Sequence, residues 1–102
     1  MLYVEGICPS CDRGLLGFRR CDDGTTLVLM CDECDAVWLD PANLTSETVR
    51  YPRVHSLEIP GLPYRPDGGA AGWSTRAEVE RAGWQGYIDG EEPALGENRK
   101  RR

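Results

Sequence analysis

The chain is poor in the residues that most catalytic and membrane proteins need. It holds one histidine in 102 residues, and nothing in it approaches the roughly eighteen consecutive apolar residues of a membrane span. The lone His55 has no recognisable acid and nucleophile to work with, so it reads as a surface or packing residue and not as a general base. Met1 to Ile7 lacks the charged region followed by an apolar core that marks a secretion signal, so none is expected. Basic charge is also scarce. Four of the twelve Lys and Arg residues are Arg99, Lys100, Arg101 and Arg102, which leaves residues 1–98 with eight basic groups against seventeen acidic ones, a net −9. Such a body repels nucleic acid and anionic membranes. With 40% hydrophobic residues, twelve Gly and seven Pro, long uninterrupted elements are few, and a metal would help a core of this size to fold.

What the chain does have is cysteine in a pattern. Cys8-Pro9-Ser10-Cys11 is followed, after nineteen residues, by Cys31-Asp32-Glu33-Cys34. Each CxxC makes a tight knuckle that aims two thiolates at one point, and an intervening hairpin brings the knuckles together into a tetrahedral four-sulfur shell. One structural Zn²⁺ held by Cys8, Cys11, Cys31 and Cys34 is the expectation. Cys-Pro-Ser-Cys alone could pass for an oxidoreductase motif, but no βαβ pattern surrounds it. The fifth cysteine, Cys21, falls in a hairpin strand and is expected to be a small buried residue, since zinc takes four ligands. Close pairs of this kind are metal ligands and not a disulfide framework, which points to the reducing cytoplasm.

The fold class expected is small α+β, in four stretches. Residues 1–45 form a zinc-ribbon hairpin or three-stranded sheet. Strands over 15–21 and 25–30 flank a turn at Asp22-Asp23-Gly24, and Ala36-Val37-Trp38-Leu39 supplies the third. Residues 46–72 are a proline-rich linker or surface coil, in which Pro60 to Pro66 suits polyproline II and could serve as a partner ligand. Residues 73–90 hold a short helix from Arg76 to Ala82, announced by the capping box Thr75/Glu78 and stopped by Gly83-Trp84. Surface pairs Arg76/Glu80 and Glu78/Arg81 are expected to support it. Residues 91–102 form a flexible tail.

The knuckles Cys8-Pro9-x-Cys11 and Cys31-x-x-Cys34, with Val37-Trp38-Leu39-Asp40 and Leu44 after them, resemble the transcription-factor-IIB-type zinc ribbon family. The resemblance covers residues 7–44. It implies a zinc-stabilised β-ribbon and, by analogy, contact with protein or nucleic acid, but no single activity. Family members commonly place Gly after the second knuckle. Here Asp35 stands in that place, with Asp12 at the equivalent position of the first. Asp tolerates left-handed φ better than most residues, and Arg13, Arg19 or Arg20 would offset the added negative charge.

These readings converge on a zinc-binding, non-catalytic protein-interaction protein. Its acidity is what an inhibitor or immunity protein against a basic toxin would show. Residues 73–90 are expected either to pack on the ribbon and complete a two-layer core or to bind a partner, in which case Trp73, Trp84 and Tyr87 are the candidate contacts, because large aromatics dominate interface hot spots. The alternative is a nucleic-acid-binding or transcription-associated ribbon that uses Arg19, Arg20 and the basic tail. An enzyme ranks last, because no nucleophile, base and orienter can be assembled.

Overall fold

The turn at Asp22-Asp23-Gly24 sets the register of the central hairpin. Gly24 takes φ +79°, a conformation a Cβ would strain, and its N–H donates to the Cys21 carbonyl at 3.0 Å. Asp23 Oδ1 accepts from the Thr25 and Thr26 amides at 3.2 and 3.0 Å, so the aspartate closes the loop that the glycine bends. The computed structural model describes residues 1–92. The strands that leave this turn are β2 (Leu16–Arg20) and β3 (Leu27–Cys31), paired antiparallel with Phe18 opposite Leu29.

Around the hairpin lies a six-stranded antiparallel sheet, where the sequence led us to expect three strands. On the far side of β3, β4 (Val37–Trp38) pairs as expected and is bridged in turn to Arg50. The unforeseen strands are three two-residue pieces: β1 (Leu2–Tyr3), β5 (Gly72–Trp73) and β6 (Gly90–Glu91). β1 and β5 share the free edge of β2, β1 facing Gly17 and β5 facing Arg19 and Arg20. β6 then adds to β1, where the terminal ammonium of Met1 donates to the Glu92 carbonyl at 2.6 Å. Two-residue strands have too little length to show alternation, so only long-range pairing defines them. Glu91 therefore belongs to the sheet, and the Glu92 amide donates to Met1 O at 3.1 Å just beyond it. The rest of the expected tail, with Arg99 to Arg102, lies outside the described residues.

Alternation along β2 and β3 sorts side chains to two faces. Leu16, Phe18, Leu27, Leu29 and Cys31 join Leu2, Val4 and Trp38 on one face. This face is covered by α1 (Arg76–Arg81) through Val79, with Trp84 and Ile88 packed at its margin. Val28 lies on the other face with Cys21, Val37 and Ile59, and Leu62 packs against this group. Ile59 and Leu62 come from the proline-rich stretch, which covers the second face without forming regular structure.

Both ends of α1 follow the sequence signals. Thr75 Oγ1 accepts from the Glu78 amide at 3.2 Å and Glu78 Oε1 from the Thr75 amide at 2.8 Å. At the other end Gly83, with φ +80°, donates to Glu80 O at 2.9 Å and Trp84 donates to Val79 O at 3.0 Å, a Schellman closure. The expected Glu78/Arg81 pair does not form. Arg20 at the end of β2 donates through Nη1 to both Glu78 carboxylate oxygens, at 2.8 and 3.0 Å, because β5 delivers the helix directly over that end of the hairpin.

Two outcomes follow. Ile59→Ala should lower stability by about 2–4 kcal/mol in urea unfolding, since it opens a cavity under a fully buried side chain. A loose surface coil would show almost no change. The Thr75 amide and then Arg20 hold the Glu78 carboxyl below its ordinary range. A carboxyl depressed in the folded state stabilises above its unfolded pKa and loses that contribution as pH falls through the folded value. Glu78→Gln should therefore cost about 1–2 kcal/mol at pH 7, and the difference from wild type should fade in melts below about pH 4.

Candidate metal centre

Each cysteine pair is shaped by backbone amides turned toward sulfur. In the first knuckle Asp12 N–H closes the turn on Cys8 O at 2.9 Å, Ser10 N–H points at Cys8 Sγ at 3.3 Å, and Gly14 N–H at Cys11 Sγ at 3.4 Å. In the second, the Glu33 and Cys34 amides point at Cys31 Sγ at 3.3 and 3.4 Å. Asp12 and Asp35, directly after Cys11 and Cys34, both adopt left-handed φ, +60° and +64°, the conformation expected of them.

The four sulfurs meet. Cys8 Sγ lies 3.7 Å from Cys34 Sγ, Cys11 Sγ lies 3.7 Å from Cys31 Sγ, and all four fall within 4.8 Å of one another. A disulfide would bring two of them to about 2.05 Å. Around a cation with metal–sulfur bonds of about 2.3 Å, a regular tetrahedron has edges of about 3.8 Å. The two short edges match that figure, so the donor set fits one tetrahedral metal ion. Its soft sulfur ligands suit zinc, or iron as the rival S₄ metal.

Electrostatics at the site are divided. Burial, the largest influence, raises the thiols of Cys8 and Cys31. Burial also opposes ionisation of Cys11, but the Gly14 and Arg13 amides and the neighbouring sulfurs outweigh it and bring that thiol down to about 7. Cys11 is thus ready to ionise. The buried side needs a cation to do so.

Two residues that the motif did not flag complete the site. Asp32 is buried inside the second knuckle, where its Oδ1 accepts from the Leu15 amide at 3.1 Å while its own amide donates to Leu15 O at 3.1 Å, clamping one knuckle to the other. Gly14 packs so tightly beneath the cluster that a Cβ there would collide with Cys31 Sγ. An aspartate between knuckle cysteines and a glycine three residues past Cys11 carry no distinctive sequence signal. Only the cross-knuckle contact reveals them.

Other singled-out residues lie elsewhere. Cys21 is buried on the opposite face with Val28, Val37 and Ile59, and burial followed by Asp23 and Asp22 raises its thiol to about 11. His55 is exposed in the loop over 53–58. Trp38 is buried in the core that includes Cys8 and Cys31, and its indole donates to Thr45 O at 2.8 Å. Trp73 lies under the Arg19 guanidinium, 4.7 Å from ring centre to Cζ, and Trp84 stacks at 6.4 Å from Phe18. Of the three aromatic partner candidates only Tyr87 is exposed, at 42%. Arg20 binds Glu78 and not the cluster, while Arg19 donates to Pro66 O and has Asp67 and then Asp35 of the second knuckle among its charge partners. Arg13 stays near it, 4.0 Å from Glu33.

No protein-family model matches this chain, and no solved structure matches it. The chain is similar to the uncharacterized protein L48 of Acanthamoeba polyphaga mimivirus, 24% identical over 97 residues that cover 90% of this chain and 81% of the viral protein. A likeness of that extent cannot be confined to residues 7–44, where the ribbon motif ends. It takes in much of the coil and helix as well.

Cys34→Ser should abolish metal binding, and Gly14→Ala should weaken it while leaving all four cysteines in place. Cys21→Ser should leave the metal content unchanged. Elemental analysis of the three purified variants checks this, and equal loss in Cys21→Ser and Cys34→Ser would make Cys21 a ligand.

Proposed function

We propose that the chain is a non-catalytic binding protein whose sheet is held in shape by one structural zinc ion, and that its partner is another protein. The observation that carries this reading is the convergence of four protein sulfurs on one point. Four protein ligands fill a tetrahedral shell, leaving no position for water or substrate, whereas catalytic zinc sites keep one open. Zinc is preferred to iron because a fold held by its metal needs no change of oxidation state.

A protein partner is favoured over nucleic acid by where the basic residues go. Arg19 is half-buried against Trp73, and Arg20 is bound to Glu78 and to the Ala70 carbonyl at 2.6 Å. The pair the nucleic-acid reading would use is committed within the fold, and the body around it carries −9. An inhibitor or immunity protein against a basic target is the form of binding protein that this charge best supports.

Protein purified without chelator should contain one zinc per chain and be colourless, while bound iron would give visible absorbance. A DNA or RNA duplex should bind weakly at physiological salt, and deletion of residues 99–102 should remove most of that binding. Submicromolar duplex affinity that survives the deletion would overturn the protein-partner reading.

A further inference from the structure

Tyr87, the exposed member of the three aromatic candidates, lines a groove of about 280 Å³. The groove lies where the chain after β1 and the chain before β6 leave the ladder side by side, since Tyr3 faces Gly90. Its apolar lining belongs to the fold. Val4 and Pro41 are buried, while Leu44 and Ile88 are half-buried and pack against the main core.

The charge in the lining has one sign. Glu5 and Asp89 are both exposed, and no basic residue lines the groove with them. Among the described residues neither carboxylate takes part in an ion pair, whereas Glu78, Asp22 and Glu33 each have an arginine. Backbone bonds fix where the two acids stand. The Asp89 amide donates to Tyr3 O at 2.8 Å, and the amide of Val4, next to Glu5, donates to Leu16 O at 3.0 Å. A site that is apolar and acidic at once fits a long basic side chain, which lays its aliphatic stem on apolar surface and keeps its charged end in reach of water. The Tyr87 ring offers a further face to such a stem or to its cation.

Gly86, also in the lining, has no task in the fold. Its φ is not left-handed, and a Cβ built there would meet no atom within 4 Å. Gly14 and Gly17 differ, because a side chain at either would strike its neighbours. Glycine in the 3₁₀ turn over Gln85–Tyr87 costs chain entropy that alanine would save. What it leaves is room for an occupant to approach the backbone closely.

We infer that this groove receives a lysine or arginine side chain from a segment of a partner protein, the stem lying against Leu44, Ile88 and Tyr87 and the cation reaching Glu5 and Asp89. The inference deepens the protein-binding role proposed above and rests on it. It gives the negative charge of the body a defined place of contact, so that a basic partner is held in one register and not by diffuse attraction.

The test titrates the full zinc-loaded chain, labelled with nitrogen-15, with the capped pentapeptide Ala-Ala-Lys-Ala-Ala at physiological salt. Amide shifts should concentrate at Leu44, Gly86, Tyr87 and Ile88, with affinity in roughly the millimolar range that one side chain can supply. Norleucine in place of the lysine keeps the stem and loses the charge, and diaminopropionate keeps the charge and loses the stem. Each should bind about fivefold more weakly. Glu5→Gln and Asp89→Asn should each weaken the lysine peptide by about threefold and together by about tenfold. Gly86→Leu should remove the shifts in protein that still holds its zinc, and Gly86→Ala should melt no lower than wild type. Glu80→Gln removes the same unit of charge from the exposed face of α1 and should change nothing. Equal weakening by Glu80→Gln would reduce the binding to diffuse attraction and overturn the proposal, as would a norleucine peptide that binds as well as the lysine one. A lower melting temperature for Gly86→Ala would return that glycine to the fold and overturn it too. Tighter peptide binding after removal of residues 99–102 would assign the groove to the chain's own basic end, and a dimer that Gly86→Leu dissociates would assign it to a second copy. Either result overturns the proposal. Failure of the underlying protein-binding role would instead appear as absence of zinc or as submicromolar duplex binding, neither of which depends on Gly86.

Discussion

Everything in this chain hangs on four sulfurs brought within 4.8 Å of one another at one end of a hairpin. Two of them are fully buried, and burial alone favours the neutral thiol. A divalent cation reverses that preference, because it is the only partner that can compensate several thiolates in so small a volume. Once the cluster closes, it fixes both ends of the structural unit. Leu16 faces Cys31 in the β2–β3 ladder, so locking the knuckles locks the register of the central strands. Asp32 and Leu15 then tie the knuckles together a second time through the backbone.

From that fixed end the sheet can be completed by pieces too small to form alone. A two-residue strand contributes few hydrogen bonds, and a helix as short as α1 is unstable in isolation. β1, β5 and β6 add to an edge already held in place, and α1 is anchored by Val79 in the core and by Glu78 on Arg20. Gly17 in the middle of β2 lets Met1 and Trp73 lie directly on the strand, where a Cβ would come within 2.5 and 2.9 Å of them. The proline-rich coil closes the second face through Ile59 and Leu62. With both faces covered, a chain of modest hydrophobic content still encloses a core.

Much of this was legible in the sequence wherever the signal is local. The CxxC knuckles, the aspartates in left-handed φ, the turn glycine, the capping box and the Schellman stop each depend on residues within a few positions of one another. What the sequence concealed depends on distance. The edge strands at 2–3, 72–73 and 90–91 exist only because β2 and β1 offer free edges. Ile59 is one apolar residue in a stretch whose prolines read as coil, and nothing local says that it will fill the space beside Val28 and Val37. Arg20 looked free to face solvent or the metal, and Glu78 looked paired along its own helix. Their mutual preference follows from β5 setting the helix over the hairpin end. Gly14 is ordinary in sequence and indispensable only because Cys31 Sγ lies where its side chain would be.

The same cysteine cluster that organises the interior also forms part of the surface. Cys34 and Asp35 form one wall of a groove of about 430 Å³ whose facing wall is Tyr51, Val54 and Leu57, and Asp35 keeps its left-handed turn because the knuckle requires it. The facing loop is held through Tyr51 to the first knuckle and through Arg50 to β4. Both walls are therefore positioned by the four-sulfur site, one directly and one through contacts to its first knuckle and to the strand beside β3. Apolar residues held this way keep a fixed arrangement without help from packing against the core, since Val54 is 86% exposed. A metal ion held by the four sulfurs would therefore shape the surface as well as the core, because the same knuckles that set the strand register also set this groove.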